Sequence, residues 1–242
     1  MTRLDILAFG AHPDDIELAV GGTLALMKAR GYAVGACDAT RGELGTRGTA
    51  EKRAVECAEA SKILGLDVRV NLGLPDGSVF DGPESRAAAI DVIRKYRPTV
   101  VLAPRADDLH PDHARLSTIV TEAAFLAGVS KHTPGLPPHR PRAVWEYASH
   151  TTFDPTFVVD VASVFETKRA AALAYKSQFH DPSSTEPATY ISRPEFWAWW
   201  EGRARHYGNM IGAAYGEAFF VKGPMRLDDP VAVFKDSGYY PK

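Results

Sequence analysis

Short apolar runs alternate along the first half of the chain with longer segments whose apolar positions recur at helical spacing. Leu4–Ala11 reads as a buried strand ended at Gly10, and Ile16–Arg30 as a helix closed by Gly31, with Asp14 and Asp15 as its cap and first-turn acids. A strand over Tyr32–Thr40, a glycine-rich polar loop, and a helix from a Thr49 cap to Leu64 follow, with Gly65 as the stop. The same logic predicts a strand at Val68–Leu72, a turn at Pro75-Asp76-Gly77, a helix over Ser85–Tyr96, a strand at Thr99–Ala103 and a helix from about His113 to Ala127. Pro134, Pro137, Pro138 and Pro141 forbid regular structure between Gly128 and Arg142. Beyond them the pattern predicts strands at Val144–Ser149 and Thr156–Val161, helices over Val164–Gln178 and Phe196–Tyr215, and a last edge strand at Ala218–Val221.

This alternation with short links implies an α/β class: a Rossmann-like, doubly wound, mainly parallel sheet with helices on both faces. We expect a single domain over 1–242, with a core at 1–127 and a C-terminal extension at 128–242 completing it. In a sheet ordered 3-2-1-4-5 the first and fourth strands are neighbours, and a crevice opens at their carboxyl ends.

Composition changes this picture little. Hydrophobic residues at 45% and charged residues at 24% are ordinary for a globular protein, and a net charge of −2 gives no footprint for nucleic acid. Cys37 and Cys57 read as small buried apolar residues. No run approaches the ~20 apolar residues of a membrane span, and no secretory signal opens the chain, so a cytoplasmic protein is expected.

The chemistry lies in the two loops at that crevice. Ala11-His12-Pro13-Asp14-Asp15 follows the first strand, and His110-Pro111-Asp112-His113 follows the fourth. Imidazoles from the two loops with a carboxylate make a ligand set for a divalent metal such as zinc, and paired carboxylates suggest that one holds metal while the other moves protons. The residues thus read as a metal-dependent hydrolase. A non-catalytic ligand-binding domain of this fold needs Gly-x-Gly-x-x-Gly after the first strand, where this chain has His-Pro-Asp-Asp. His132, His139, His150, His180 and His206 lack ligand spacing and read as structural or exposed. Among Phe196, Trp197, Trp199 and Trp200, packing is expected for at least two Trp, and a sugar pocket or an oligomer interface for the rest.

On those two motifs, with Glu17, Thr40-Arg41-Gly42-Glu43 and Lys176-Ser177-Gln178-Phe179, the sequence resembles the PIG-L/LmbE-like family of zinc-dependent N-deacetylases. The likeness is nearest to the branch that deacetylates N-acetylglucosaminyl malate in bacillithiol synthesis. The resemblance implies a single Zn2+ per chain, or another divalent ion, on His12, Asp15 and His113. It implies Asp14 as general base and His110 as the group that stabilises the oxyanion or protonates the leaving amine. Asp112 would orient an imidazole or cap the helix. Arg53 and Arg140 occupy positions that the family uses near substrate, and Arg41 could face the crevice. Leu109 stands where that branch carries a basic residue, with Arg105 as a candidate substitute. The implied substrate is a small aminosugar conjugate, with chitobiose-, inositol- or mycothiol-type compounds as alternatives to malate. The implied assembly is a homo-oligomer, such as a hexamer.

Overall fold

A computed structural model describes residues 2–132 and 135–235. Among the described residues seven strands form one sheet: β1 (Ile6–Gly10), β2 (Val34–Asp38), β3 (Val68–Asn71), β4 (Val100–Pro104), β5 (Ala143–Tyr147), β6 (Phe157–Asp160) and β7 (Gly216–Val221). Their order is β3-β2-β1-β4-β5-β7-β6. The five strands from β3 to β5 are parallel, and β7 pairs antiparallel with both β5 and β6. The helices are α1 (Asp15–Ala29), α2 (Ala50–Leu64), α3 (Pro83–Tyr96), α4 (Pro111–Leu126), α5 (Phe165–Leu173), α6 (Phe196–Asn209) and α7 (Pro230–Phe234). None of the described helices is long and apolar enough to cross a membrane.

Strand periodicity divides the core. Ile6, Ala8 and Leu102 pack with Ile16, Val20 and Leu24 of α1 on one face. Leu7, Phe9, Val101 and Ala103 pack with Ile90 and Ile93 of α3 and Leu116, Ile119 and Val120 of α4 on the other. Because α1 and α4 leave adjacent strands on opposite faces, the loops after β1 and β4 converge. Local signals set the helix ends. Thr49 accepts from Lys52 N at the start of α2, and Gly65 closes that helix at φ 68.

Three predicted elements differ. The final strand is interior, because β7 lies between β5 and β6 rather than at an edge. The helix expected to reach Gln178 stops at Leu173, where the following turn is held by Ser177 N and Oγ donating to Glu56 at 2.7 Å each. The helix expected to reach Tyr215 stops at Asn209, and the chain reverses so tightly that a Cβ on Gly208 would sit 2.7 Å from Ala213 O.

The extension also grips α1. Glu217 accepts from Gly22 N at 2.8 Å and Thr23 N at 2.6 Å, and Lys168 Nζ reaches Glu217 at 2.5 Å and Ala19 O at 3.1 Å. Trp200 Nε1 donates to Leu18 O at 2.8 Å. Gly22 is required here, since a Cβ would come within 2.8 Å of the Glu217 carboxylate.

Candidate metal centre and active site

A cavity of about 510 Å³ opens at the carboxyl ends of β1 and β4, lined among others by His12, Asp14, Asp15, Asp76, His110 and His113. The β1–α1 junction supplies three of them, the loop after β3 supplies Asp76, and the start of α4 with its cap supplies the other two. Pro111 occupies the first turn of α4, where its missing N–H costs nothing, and buried Asp112 and His113 follow.

The His12, His110 and His113 rings cluster with centroids 4.7–5.4 Å apart. Asp15 Oδ2 lies 3.4 Å from His12 Nδ1 and 3.1 Å from His113 Nε2. Donor atoms bound at ~2.0–2.1 Å to a tetrahedral zinc stand ~3.3 Å apart, which both Asp15 distances match, and His12, His110 and His113 each bring a ring nitrogen within 4.8 Å of the others. Further carboxylates fix the imidazoles. His12 Nε2 faces Asp76 Oδ1 at 3.1 Å and Asp112 Oδ2 at 3.4 Å, which leaves Nδ1 for a metal. His113 Nδ1 faces Asp108 at 3.4 Å, which leaves Nε2. Burial opposes protonation of His113, yet the Asp15 and Asp108 carboxylates lift it to about 9. Burial likewise opposes ionisation of Asp15, yet His113 and His12 hold it well below the usual range. The cluster is built to hold positive charge.

Asp14 is buried, at φ 121, with Oδ2 3.7 Å from Arg53. Burial raises its carboxyl to about 7, with Arg53 pulling the other way and Asp15 pushing with burial. Arg53 donates to Pro13 O at 3.0 Å and to Gln178 Oε1, so the motif around Gln178 meets the first loop through this guanidinium. His110 caps α4, its Nδ1 accepting from Asp112 N at 3.2 Å. The ring hydrogen is therefore on Nε2. Burial, then the neighbouring His12 and His113, depress the His110 pKa, so it is a neutral donor rather than a cation. Asp112 accepts from Gly77 N at 2.8 Å and Val79 N at 3.2 Å, binding the loop after β3 to the site while facing His12.

The other arginines named from sequence are not in the cavity wall. Arg41 is exposed, and Arg105 is paired with Asp107 at 2.7 Å. Arg140 donates to Phe125 O at 3.1 Å, stacks on the Phe125 ring and borders a separate depression. Leu109 is exposed outside the cavity.

Sequence spacing missed Asp76, Asp108, His150 and Arg203. His150 lines the cavity with Nδ1 2.8 Å from Asp108 Oδ1, so it belongs to the site that its spacing hid. Asp76, Asp108 and His150 follow β3, β4 and β5, so a scan of loops at the carboxyl edge for His and Asp finds all three. Trp197 packs against the interior cluster, Trp200 is buried in that cluster with an edge in the cavity wall, and Trp199, 45% exposed, faces the cavity.

A family model described as GlcNAc-PI de-N-acetylase (PIG-L) matches residues 7–124. The chain is 31% identical over 238 residues to the diacetylchitobiose deacetylase of Thermococcus kodakarensis, covering 90% of this chain and 83% of that protein. It is 28% identical over 237 residues to the 1D-myo-inositol 2-acetamido-2-deoxy-alpha-D-glucopyranoside deacetylase of Nocardia farcinica, covering 72% of this chain and 80% of that protein. The crystal structure of the conserved protein TT1542 from Thermus thermophilus superposes with a TM-score of 0.84 at 41% identity, covering 94% of this chain and 98% of that one. The chain belongs to the PIG-L family and is an N-deacetylase.

Proposed function

We propose that this enzyme removes the acetyl group from an N-acetylglucosamine conjugate, with His12, Asp15 and His113 holding the metal. The observation that carries the reading is Asp15 Oδ2, placed 3.4 Å from His12 Nδ1 and 3.1 Å from His113 Nε2 beside a buried Asp14 whose carboxylate faces Arg53 at 3.7 Å. When bound there, a divalent ion such as zinc supplies Lewis acidity to a water and to the acetamide carbonyl.

Asp14 accepts the proton of the attacking water. Burial makes its carboxylate basic enough for the task, and Arg53 keeps a usable fraction ionised. His110, held by its Nδ1 acceptor bond, donates from Nε2 to the oxygen on which charge grows. As the C–N bond breaks, the departing amine takes a proton, and Asp14, which has just received one, is the donor at hand. Asp76, Asp108 and Asp112 hold the two ligand imidazoles in the required tautomers.

The substrate class rests on relatives that act on aminosugar conjugates. The finer expectation, the malate conjugate of bacillithiol synthesis, loses the support of Arg41, Arg105 and Arg140, none of which lines the cavity. The test is amine release from N-acetylglucosamine and its glycosides by metal-loaded protein, together with metal analysis of His12→Ala, Asp15→Ala and His113→Ala. Turnover by wild type and metal loss in all three variants are expected. Stoichiometric metal in the three variants removes the ligand assignment.

A further inference from the structure

One charged side chain in the cavity wall has no part in the reaction just described. Phe196, Trp199, Trp200 and Arg203 of α6 all line the cavity, at the i, i+3, i+4, i+7 spacing of a single helix face. Three aromatic rings are followed by a guanidinium on that face. Tyr190 extends the apolar surface, stacked on Trp199 with ring centroids 5.7 Å apart. It is presented by a turn in which Thr189 N donates to Ser192 Oγ at 2.8 Å and Ser192 N donates to Thr189 Oγ1 at 3.3 Å.

Arg203 is partly buried, and its single hydrogen bond among the described residues runs from Nη1 to Ser149 O. No described carboxylate lies within 4.0 Å of it. Arg53, the other arginine named in the cavity wall, is committed to Pro13, Gln178 and Asp14. Arg203 nitrogens without a partner keep access to solvent. Burial pulls the pKa of this guanidinium down, with Tyr207, Tyr190, Asp108 and Glu217 acting on it from beyond contact distance in the opposite direction. A buried charge without a partner is costly, and a cavity wall is where a ligand can supply the partner. The geometric fork of a guanidinium matches a carboxylate.

We infer that Arg203 is a specificity-determining residue that binds a carboxylate on the aglycone of the substrate, while the aromatic face of α6 and Tyr190 carries the sugar. This rests on the N-deacetylase reading of the same cavity and names the ligand chemistry at its α6 wall. It replaces Arg41, Arg105 and Arg140 as the reader of a negative charge.

The experiment compares two N-acetylglucosamine glycosides whose aglycones differ by a single heavy atom, the carboxymethyl glycoside and the neutral 2-hydroxyethyl glycoside, with metal-loaded wild type, Arg203→Gln and Arg203→Lys. Wild type is expected to prefer the carboxylate by roughly tenfold or more in kcat/KM, the scale of one charge-assisted fork. Arg203→Gln brings the ratio to near one, and Arg203→Lys keeps part of it. The readout is the ratio, so a change in the absolute rate of a variant does not decide it. Calorimetric affinities for the two glycosides read the same ratio without turnover. A wild-type ratio of one, or a wild-type ratio retained in Arg203→Gln, overturns the assignment. Tighter binding of the carboxylate glycoside that depends on Arg203, with no amine released from either compound, upholds Arg203 and overturns the deacetylase reading instead.

Discussion

Asp14 carries two costs at a single position, a buried carboxyl and a backbone φ of 121 in a region that residues with a side chain rarely adopt. The two costs separate by substitution. Asp14→Asn keeps shape and metal but cannot accept a proton, and kcat should fall by roughly three orders of magnitude or more. Asp14→Gly should be as inactive yet more stable, because strain of ~1–3 kcal/mol is relieved; thermal melts of metal-free protein check this. The pH profile tests the role as base. A base must be ionised, so kcat/KM falls as pH drops through the Asp14 pKa. Burial puts that pKa at about 7 without metal, and a bound cation stabilises the carboxylate, so the acid limb should lie at or below about 7. Arg53→Met removes a charge that lowers it, and the limb should move to higher pH. A limb unmoved in Arg53→Met speaks against Asp14 as its source. At this scale the motif residues were legible because imidazole and carboxylate stood beside each other in sequence. Asp108 and His150 were not, since they meet at 2.8 Å across 42 positions of chain.

Element order in the parallel half was readable because β1, β2 and most of β4 are buried on both faces and Thr49 and Gly65 punctuate α2 locally, whereas α3 and α4 begin two residues ahead of the expected Ser85 and His113, at Pro83 and Pro111. The extension was harder. Its helices end where distant groups seize the backbone or reverse it, as Glu56 does at Ser177. An apolar run such as Ala218–Val221 does not announce whether it has one neighbour or two. The grip on α1 belongs to this scale. Lys168 and Glu217 are each only 3% exposed, and Glu217 also receives two amides of α1. Glu217→Gln leaves a buried ammonium without its countercharge and should cost ~3–5 kcal/mol in urea unfolding. The double variant Lys168→Met/Glu217→Gln should recover part of that loss. An additive double variant would mean that the two groups do not act as a pair.

Across the molecule, the proposed metal centre ties elements that are far apart in sequence. His12 and Asp15 hang from β1 and α1, His113 from α4, and their carboxylate supports reach the loops after β3 and β4. An ion that binds only the folded arrangement stabilises it by mass action, ~4 kcal/mol at a thousandfold excess over its dissociation constant. Chelation should therefore lower Tm by several degrees, and His12→Ala should erase the difference between loaded and stripped protein. An equal fall on chelation in that variant would place the stabilising ion elsewhere.

The interior position of β7 has a consequence in time. A ribosome delivers β5 and β6 before it delivers β7, with residues 161–215 between, about 55 residues, and at ~5–20 residues per second the interval lasts several seconds. Through that interval β5 has an open flank, and Phe157, which ends between Trp145 and Phe219, lacks the Phe219 ring and the strand that pairs with its own. The nascent chain thus passes through a state in which the catalytic loops after β1 and β4 are already made while the sheet beside them is unfinished. Substitutions that weaken β7, such as Phe219→Asp, should therefore reduce soluble yield during synthesis far more than they disturb the metal centre of the molecules that complete the sheet.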